Sequence, residues 1–202
     1  TGNVTGKVET VSAGEIVAYG DFSSVTEPGT YKIVSENSGE SYEFVISDNV
    51  YDDVFADIIK MFYMMRCGSE LDKEHAGDFA HKACHTKKAI IYGTNKTKDV
   101  SGGWHDAGDY GRYVVPAAVT AADLMLAYEF YPQSFTNSLN IPESNNNLPD
   151  VLDEVKYGIE WMLKMQDSDG GVYHKVTSRN FPDITTMPDI DVDDLLVLPV
   201  ST

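Results

Sequence analysis

Basic residues are scarce in this sequence, which has 15 Lys and Arg against 32 Asp and Glu and a formal net charge of −17. Nucleic acid and anionic membrane surfaces repel a chain of that charge, so both are excluded as partners. The sequence also lacks an apolar run long enough to span a membrane. Residues 1–9 are polar and show no apolar segment of a signal peptide, so we interpret the start as internal to a domain.

Cysteine is equally scarce, since Cys67 and Cys84 are the only two. They permit one disulfide, one metal site or two buried thiols, and their number does not separate these alternatives. Apolar residues make up 42% of the 202 residues, which is enough for a core in one domain or in two small ones.

Glycine is concentrated in residues 99–113, where it occupies positions 102, 103, 108 and 111. This argues against a helix interior and favours a backbone that bends tightly against a ligand. Asp106 and Asp109 lie in this loop and can share one task, such as activating a water or holding a cation. A lone Asp-x-x-Asp is better interpreted as an acidic turn, so the flanking residues decide. Three of them offer flat apolar faces suited to a ring-shaped, hydroxyl-rich ligand: Trp104, Tyr110 and Tyr113.

Three segments together resemble a known family. Residues 100–114, with SGGWHDAGDYGRYV at their core, resemble the catalytic-base motif of glycoside hydrolase family nine, the inverting cellulases. Residues 141–154 (IPESNNNLPDVLDE) resemble the family's loop before a helix, and residues 158–174 (GIEWMLKMQDSDGGVYH) resemble that helix and the turn after it. The resemblance covers about residues 49–202, and residues 1–48 resemble part of the immunoglobulin-like domain of one family branch.

The resemblance implies a mainly α, multidomain chain with a β part. Residues 1–48 would be the C-terminal part of an immunoglobulin-like β-sandwich, and residues 49–202 the N-terminal part of an (α/α)6 barrel. Short β-branched or aromatic runs predict strands at 15–19, 29–34 and 42–46. These are too few for a sandwich of about seven strands, and a small sheet packed on its neighbour is the alternative to a truncated domain.

Helical periodicity predicts three helices in the second part: one beginning near Asp48 or Asn49, one from Pro116 to Tyr131, and one over residues 149–165. The predicted buried face of the first helix comprises Val54, Phe55, Ile58, Ile59, Phe62 and Met65. That of the second comprises Ala117, Ala118, Ala121, Leu124, Met125 and Tyr128. That of the third comprises Val151, Leu152, Val155, Ile159, Met162 and Leu163. Trp161 is interpreted as a core residue, and residues 68–98 and 167–202 as irregular. Because three helices are only part of six helix pairs, we expect exposed apolar faces that pair with the remainder of the barrel, as another segment or chain.

By resemblance, Asp109 is the general base of an inverting hydrolysis and Asp106 shares the nucleophilic water. The family's general acid is a glutamate farther along, and no glutamate of this chain stands in a matching motif. The residues predicted to bind the sugar are Trp104, Tyr110, Tyr113 and His174.

Two metal sites are predicted. Two thiolates and two imidazoles suit structural zinc, and the resemblance favours zinc over a disulfide at Cys67, Cys84, His85 and His105. The loop 143–154 is rich in oxygen ligands, and relatives commonly bind calcium, so Glu143, Asn145, Asn147, Asp150 and Asp153 are candidates. A helix cap at Asp150 is the alternative. The aspartates at 189, 191, 193 and 194 are interpreted as a solvated acidic loop.

These inferences predict a secreted β-1,4-glucanase that acts on cellulose or a related β-glucan with inversion. The alternative from another class is a non-catalytic, metal-stabilised carbohydrate-binding or surface module that uses the same aromatic loop. Loss of product formation on replacement of Asp109 would separate the two.

Overall fold

The computed structural model of the protein describes residues 2–192 and 194–199, which divide between Asp53 and Val54 into two compact units. The first unit is entirely β. Strand β1 (Val4–Thr10) pairs antiparallel with β2 (Glu15–Gly20), and the register shifts between Thr5 and Lys7. Two further antiparallel pairs follow: β3 (Gly29–Tyr31) with β6 (Phe44–Ile46), and β4 (Val34–Ser35) with β5 (Gly39–Glu40).

The predicted strands are present with changed bounds. The run 29–34 is divided into two short strands. Between them, the Ile33 amide donates to Ser41 Oγ, and the Ile33 carbonyl accepts from the Ser41 amide. Strand β1 was not predicted, since its apolar residues are interrupted by glycine and lysine. Among the described residues up to 53, none is buried, so these strands form hairpins with exposed faces rather than a closed core.

The second unit is mainly helical, and the three predicted helices are present. Its helices are α1 (Asp52–Met64), the short α2 (Lys73–Ala76), α3 (Val114–Phe130) and α4 (Asp150–Lys164). One core forms between α1, α3 and α4, with Ile59, Tyr63, Leu124 and Val151 among its buried residues.

Parts of the predicted helix faces are wrong. Val54, Ile58, Ala118, Met125 and Leu163 are exposed, and α3 also exposes Val115, Val119, Leu126 and Phe130. Periodicity shows that a helix has an apolar face, but it does not show whether a partner covers that face. The predicted exposure of apolar helix faces is therefore observed, and their pairing with the remainder of a barrel stays a prediction.

The largest departure from prediction is a five-stranded sheet in segments that were expected to be irregular. Its strands, in spatial order, are β8 (Thr97–Lys98), β7 (Ala89–Ile91), β11 (Leu195–Leu198), β10 (Lys175–Ser178) and β9 (Arg112–Tyr113). The β7–β11 pair is parallel and the others are antiparallel. A second core packs this sheet against Trp161 and Met165 at the end of α4, which confirms Trp161 as a core residue. No helix in the described part of the chain has the length and apolar character needed to cross a membrane.

Candidate functional site

The Gly-rich loop begins as a short antiparallel pairing with the chain that leaves α1. The Cys67 amide donates to the Gly103 carbonyl at 2.8 Å, and the His105 amide donates to the Met65 carbonyl at 2.8 Å. Arg66 and Trp104 lie opposite each other between these two hydrogen bonds. This pairing fixes the loop beside the cysteine and histidine side chains.

The loop is then locked against α4 by two reciprocal contacts between glycine and tryptophan. A Cβ on Gly103, which has φ +77°, would lie 2.6 Å from the Trp161 ring, and a Cβ on Gly158 would lie 2.3 Å from the Trp104 ring. Real side chains do not approach that closely, so each tryptophan requires the glycine opposite. Trp104 is therefore buried in the wall of the site rather than displayed as an open platform.

A network of ion pairs lies next to the pairing of residues 65–67 with residues 103–105. The Arg66 guanidinium donates to both oxygens of Glu143 at 2.9 and 3.1 Å and forms an ion pair with Glu154 at 2.8 Å. The Trp104 indole N–H donates to Glu154 at 3.3 Å. Burial raises the pKa of Glu154, and Arg66 opposes that rise.

Sequence reasoning missed both Arg66 and Glu154. A signal was available, because Glu154 lies three residues after Val151 and four before Gly158 and so belongs to the buried face of α4. Arg112 was also missed. It is buried, and its Nη1 donates to the carbonyls of Val100 at 2.6 Å and Gly102 at 2.8 Å. These hydrogen bonds join the end of the loop to its beginning.

The two candidate carboxylates occupy the turn of the loop. The Asp106 amide donates to the Gly111 carbonyl at 2.8 Å, and the Gly111 amide donates to Asp109 Oδ1 at 3.1 Å. Asp106 is exposed, and Asp109 is half-buried. A substituent on Gly111 would meet the Tyr113 ring at 2.9 Å and Asp109 Oδ1 at 3.3 Å, so this tight turn also needs glycine.

A pocket of about 250 Å³ opens beside this turn, between the end of α1 and the start of α3. Four of the predicted site residues line it: Trp104, His105, Asp106 and Tyr113. Asp109, Tyr110 and His174 are not part of its lining. His174 is exposed next to Tyr113, with 6.2 Å between ring centroids.

Tyr110 is directed toward the metal-ligand candidates. Its ring lies 4.9 Å from that of His105 and 5.5 Å from that of His85, and its hydroxyl donates to the Thr186 carbonyl. These contacts give Tyr110 a packing role, and its contact with a sugar stays a prediction.

Cys67, Cys84, His85 and His105 form one buried cluster whose candidate ligand atoms all lie within 4.8 Å of one another. Cys84 Sγ is 3.7 Å from His105 Nε2, and both thiols are free of any disulfide. The pKa of Cys84 is strongly lowered, chiefly by its hydrogen bond with Cys67 and then by the two histidines. The thiolate is the form that binds metal, so the donor set fits a closed tetrahedral ion such as zinc.

The histidines of this cluster are oriented by their surroundings. His85 Nε2 lies 3.0 Å from Asp191 Oδ2, and both side chains are almost fully buried. His85 Nδ1 is buried and has no hydrogen-bond partner in the described residues, so it is the nitrogen available to a metal.

The prediction of a solvated acidic loop is wrong at Asp191, whose side chain is only 4% exposed. Asp189 accepts from the Lys82 amide at 3.4 Å, and Asp194 pairs with Arg179 at 3.2 Å. Asp193 lies outside the described residues. Composition predicts a solvated loop because it does not show that His85, 106 residues earlier, pairs with Asp191.

Among the calcium candidates, Glu143 accepts a hydrogen bond from Arg66 on each of its two oxygens. Asp150 Oδ2 accepts from the Leu139 amide and from Ser144 Oγ, both at 2.7 Å, so it holds the loop instead of capping α4. Asp153 Oδ2 is buried without a partner in the described residues, and burial raises the pKa of Asp153. Asn145 and Asn147 occupy left-handed turns, each with φ 73°. Calcium binding in this loop stays a prediction.

Comparison with known proteins shows which proteins this chain resembles. The family model described as Glycosyl hydrolase family 9 matches residues 51–193. A cellodextrinase of Butyrivibrio fibrisolvens is 43% identical over 94% of this chain and 35% of its own length, and endoglucanase D of Acetivibrio thermocellus is 43% identical over 93% and 31%. A solved structure, the Zn-binding triple mutant of the family 9 endoglucanase J30, is 35% identical, with a TM-score of 0.88 over 96% of this chain and 38% of its own.

The relatives that match most of this chain are named as glycan-cleaving enzymes, a cellodextrinase and an endoglucanase. The chain itself belongs to glycosyl hydrolase family 9. It spans about a third of the length of the curated relatives it matches.

Proposed function

We propose that this chain carries the water-activating half of an inverting β-1,4-glucanase site. The observation that carries the proposal is the Gly-rich turn with Asp106 and Asp109. It is fixed by α4 and by the cysteine–histidine cluster, and Asp106, Trp104 and Tyr113 line the adjacent pocket. The enzyme names of the family relatives favour this function over a non-catalytic binding module.

In the proposed reaction, Asp109 accepts a proton from the attacking water, and Asp106 holds that water by a second hydrogen bond. The hydrogen bond from the Gly111 amide to Asp109 Oδ1 fixes one oxygen and leaves Oδ2 for the water. A second carboxyl group, about 6.5–9.5 Å away in inverting enzymes, protonates the leaving oxygen. We assign that acid to a part of the enzyme beyond these 202 residues.

We further propose that zinc occupies the cluster of Cys67, Cys84, His85 and His105. When bound, the ion supplies a structural crosslink between the end of α1, residues 84–85 and the Gly-rich loop. His105 directly precedes Asp106, so fixing its ring also restricts the backbone that carries the carboxylates. The soft donor set of two thiolates and two imidazoles favours zinc over calcium.

For the fold, we propose that the second unit is the N-terminal part of an (α/α)6 barrel and the first unit part of an immunoglobulin-like domain. The exposed apolar rows of α1 and α3 support the first assignment. Polymeric β-glucans do not cross membranes, so we propose that the enzyme acts outside the cell.

The test is reducing-sugar release from a soluble β-1,4-glucan by the complete enzyme that contains this segment. Replacement Asp109→Asn is expected to lower turnover by about 10²–10⁴-fold, because the base is removed with little change of shape. Asp123→Asn, on the exposed side of α3, is the matched control and is expected to retain activity. A variant Asp109→Asn that keeps most of its rate would overturn the assignment.

A further inference from the structure

The contact between His85 and Asp191 joins the metal-ligand cluster to a segment 106 residues later. Their side chains are 1% and 4% exposed, so this is a buried hydrogen bond and not a surface pair. A carboxylate on the outer nitrogen of a metal-binding histidine fixes the ring and its tautomer and increases the basicity of the ligating nitrogen. His85 meets this description, since its Nδ1 is left without another partner in the described residues.

The segment that carries Asp191, residues 181–192, has two further anchors in the same region. The Thr186 carbonyl accepts from the Tyr110 hydroxyl, and Asp189 Oδ2 accepts from the Lys82 amide at 3.4 Å. Tyr110 belongs to the Gly-rich turn and packs on both histidines of the cluster. The three anchors are therefore a member of the cluster (His85), a residue that packs on it (Tyr110) and a residue two positions before Cys84 (Lys82).

Apolar packing contributes little to holding this segment. Its large apolar side chains are exposed, including Ile184 at 90% and Ile190 at 70%, and neither core cluster includes a residue from 181–192. A segment with few buried apolar contacts has a low free energy of local opening. Its position therefore depends on the polar anchors at the cluster.

We propose that Asp191 is the outer carboxylate of the metal centre and that metal binding fixes the segment 181–192 against the Gly-rich turn. The inference rests on the proposed metal site and extends it to a residue and a segment that do not bind the ion themselves. With the ion on His85 Nδ1, the Nε2–H must point to Asp191, and the segment is held. Without the ion, the His85 ring is free to turn, and the anchor weakens.

The experiment uses the complete enzyme in zinc-loaded and zinc-free forms, with Asp191→Ala and Asp191→Asn. Asp183→Ala is the matched control, because Asp183 lies in the same segment but, among the described residues, its carboxylate accepts only from the nearby Thr185. Zinc affinity is measured by competition with a chromophoric chelator, and amide hydrogen exchange is measured over residues 181–192.

Asp191→Ala is expected to weaken zinc binding by about 10–100-fold, and Asp191→Asn, whose amide oxygen still accepts a hydrogen bond, by less. In wild type, zinc removal is expected to raise exchange over 181–192 to the level of Asp191→Ala, and Asp183→Ala is expected to match wild type in affinity. The inference is overturned if wild type binds zinc tightly but Asp191→Ala binds it equally well, or if exchange of the segment does not respond to zinc. If wild type binds no zinc, the metal centre itself is refuted, and the role of Asp191 falls with it.

Discussion

Gly158 of α4 and the Trp104 ring of the Gly-rich loop pack so closely that a single added methyl group has no space. A Cβ at position 158 would lie 2.3 Å from one ring carbon and 2.5 Å from another. The helix therefore positions the loop directly, and Asp106 follows the tryptophan by only two residues.

The first prediction concerns this contact. Gly158→Ala would gain about 1 kcal/mol of helix propensity, but forcing the Trp104 ring outward costs about 1–3 kcal/mol. We expect a net loss of stability and displacement of the loop, measured as a lower melting temperature and a changed near-UV circular dichroism spectrum. Gly108→Ala is the control, because nothing lies within 4 Å of its Cβ position. A melting temperature at or above that of wild type would show that the ring moves without cost.

The second prediction concerns the buried pair of Arg66 and Glu154. Arg66→Met leaves the fully buried Glu154 carboxylate with the Trp104 N–H as its hydrogen-bond donor among the described residues. Removal of one partner of such a pair costs about 3–5 kcal/mol. The double variant Arg66→Met/Glu154→Leu is expected to be much less destabilised than the sum of the two single variants. Chemical denaturation of all four proteins gives the coupling energy, and simple additivity would contradict a buried pair.

The third prediction concerns zinc. Chelation is expected to lower the melting temperature, and zinc is expected to restore it while calcium alone does not. At free zinc 1,000 times the dissociation constant, the stabilisation would be about 4 kcal/mol. Cys67→Ser should lose this response, whereas His81→Ala should keep it, because His81 lies outside the cluster and bonds the Lys82 carbonyl. Equal melting curves with and without zinc would refute a structural metal.

The fourth prediction concerns Arg112, which joins the two ends of the loop. Arg112→Lys keeps the charge, but the lysine side chain is one atom shorter and does not place a donor where Nη1 donates to both the Val100 and Gly102 carbonyls. We expect destabilisation of about 1–3 kcal/mol, since a buried carbonyl loses its partner. Lys175→Arg is the control, because the Lys175 ammonium lies 5.0 Å from the centroid of the Tyr113 ring, a contact that arginine also makes. Unchanged stability in Arg112→Lys would show that the lysine Nζ reaches the same carbonyls.

The sequence by itself determined the features that are encoded locally. The 3.6-residue periodicity predicted α1, α3 and α4, and the glycines at 102, 103, 108 and 111 predicted the tight loop that carries Asp106 and Asp109. The types of residue at 67, 84, 85 and 105 suited a metal, and the resemblance to relatives selected that interpretation. These signals need no knowledge of which segments meet in space.

Tertiary structure alone decided the contacts between distant segments. The sheet pairs Ile90 with Leu196, and its strands have only two to four residues each, too few to show a periodicity. The burial of Glu154 depends on Arg66, which lies 88 residues earlier, and the burial of Asp191 depends on His85. From sequence alone, a carboxylate is predicted to be solvated, because burying its charge costs free energy unless a partner compensates. Here the partners lie far away in sequence, where local pattern does not reveal them.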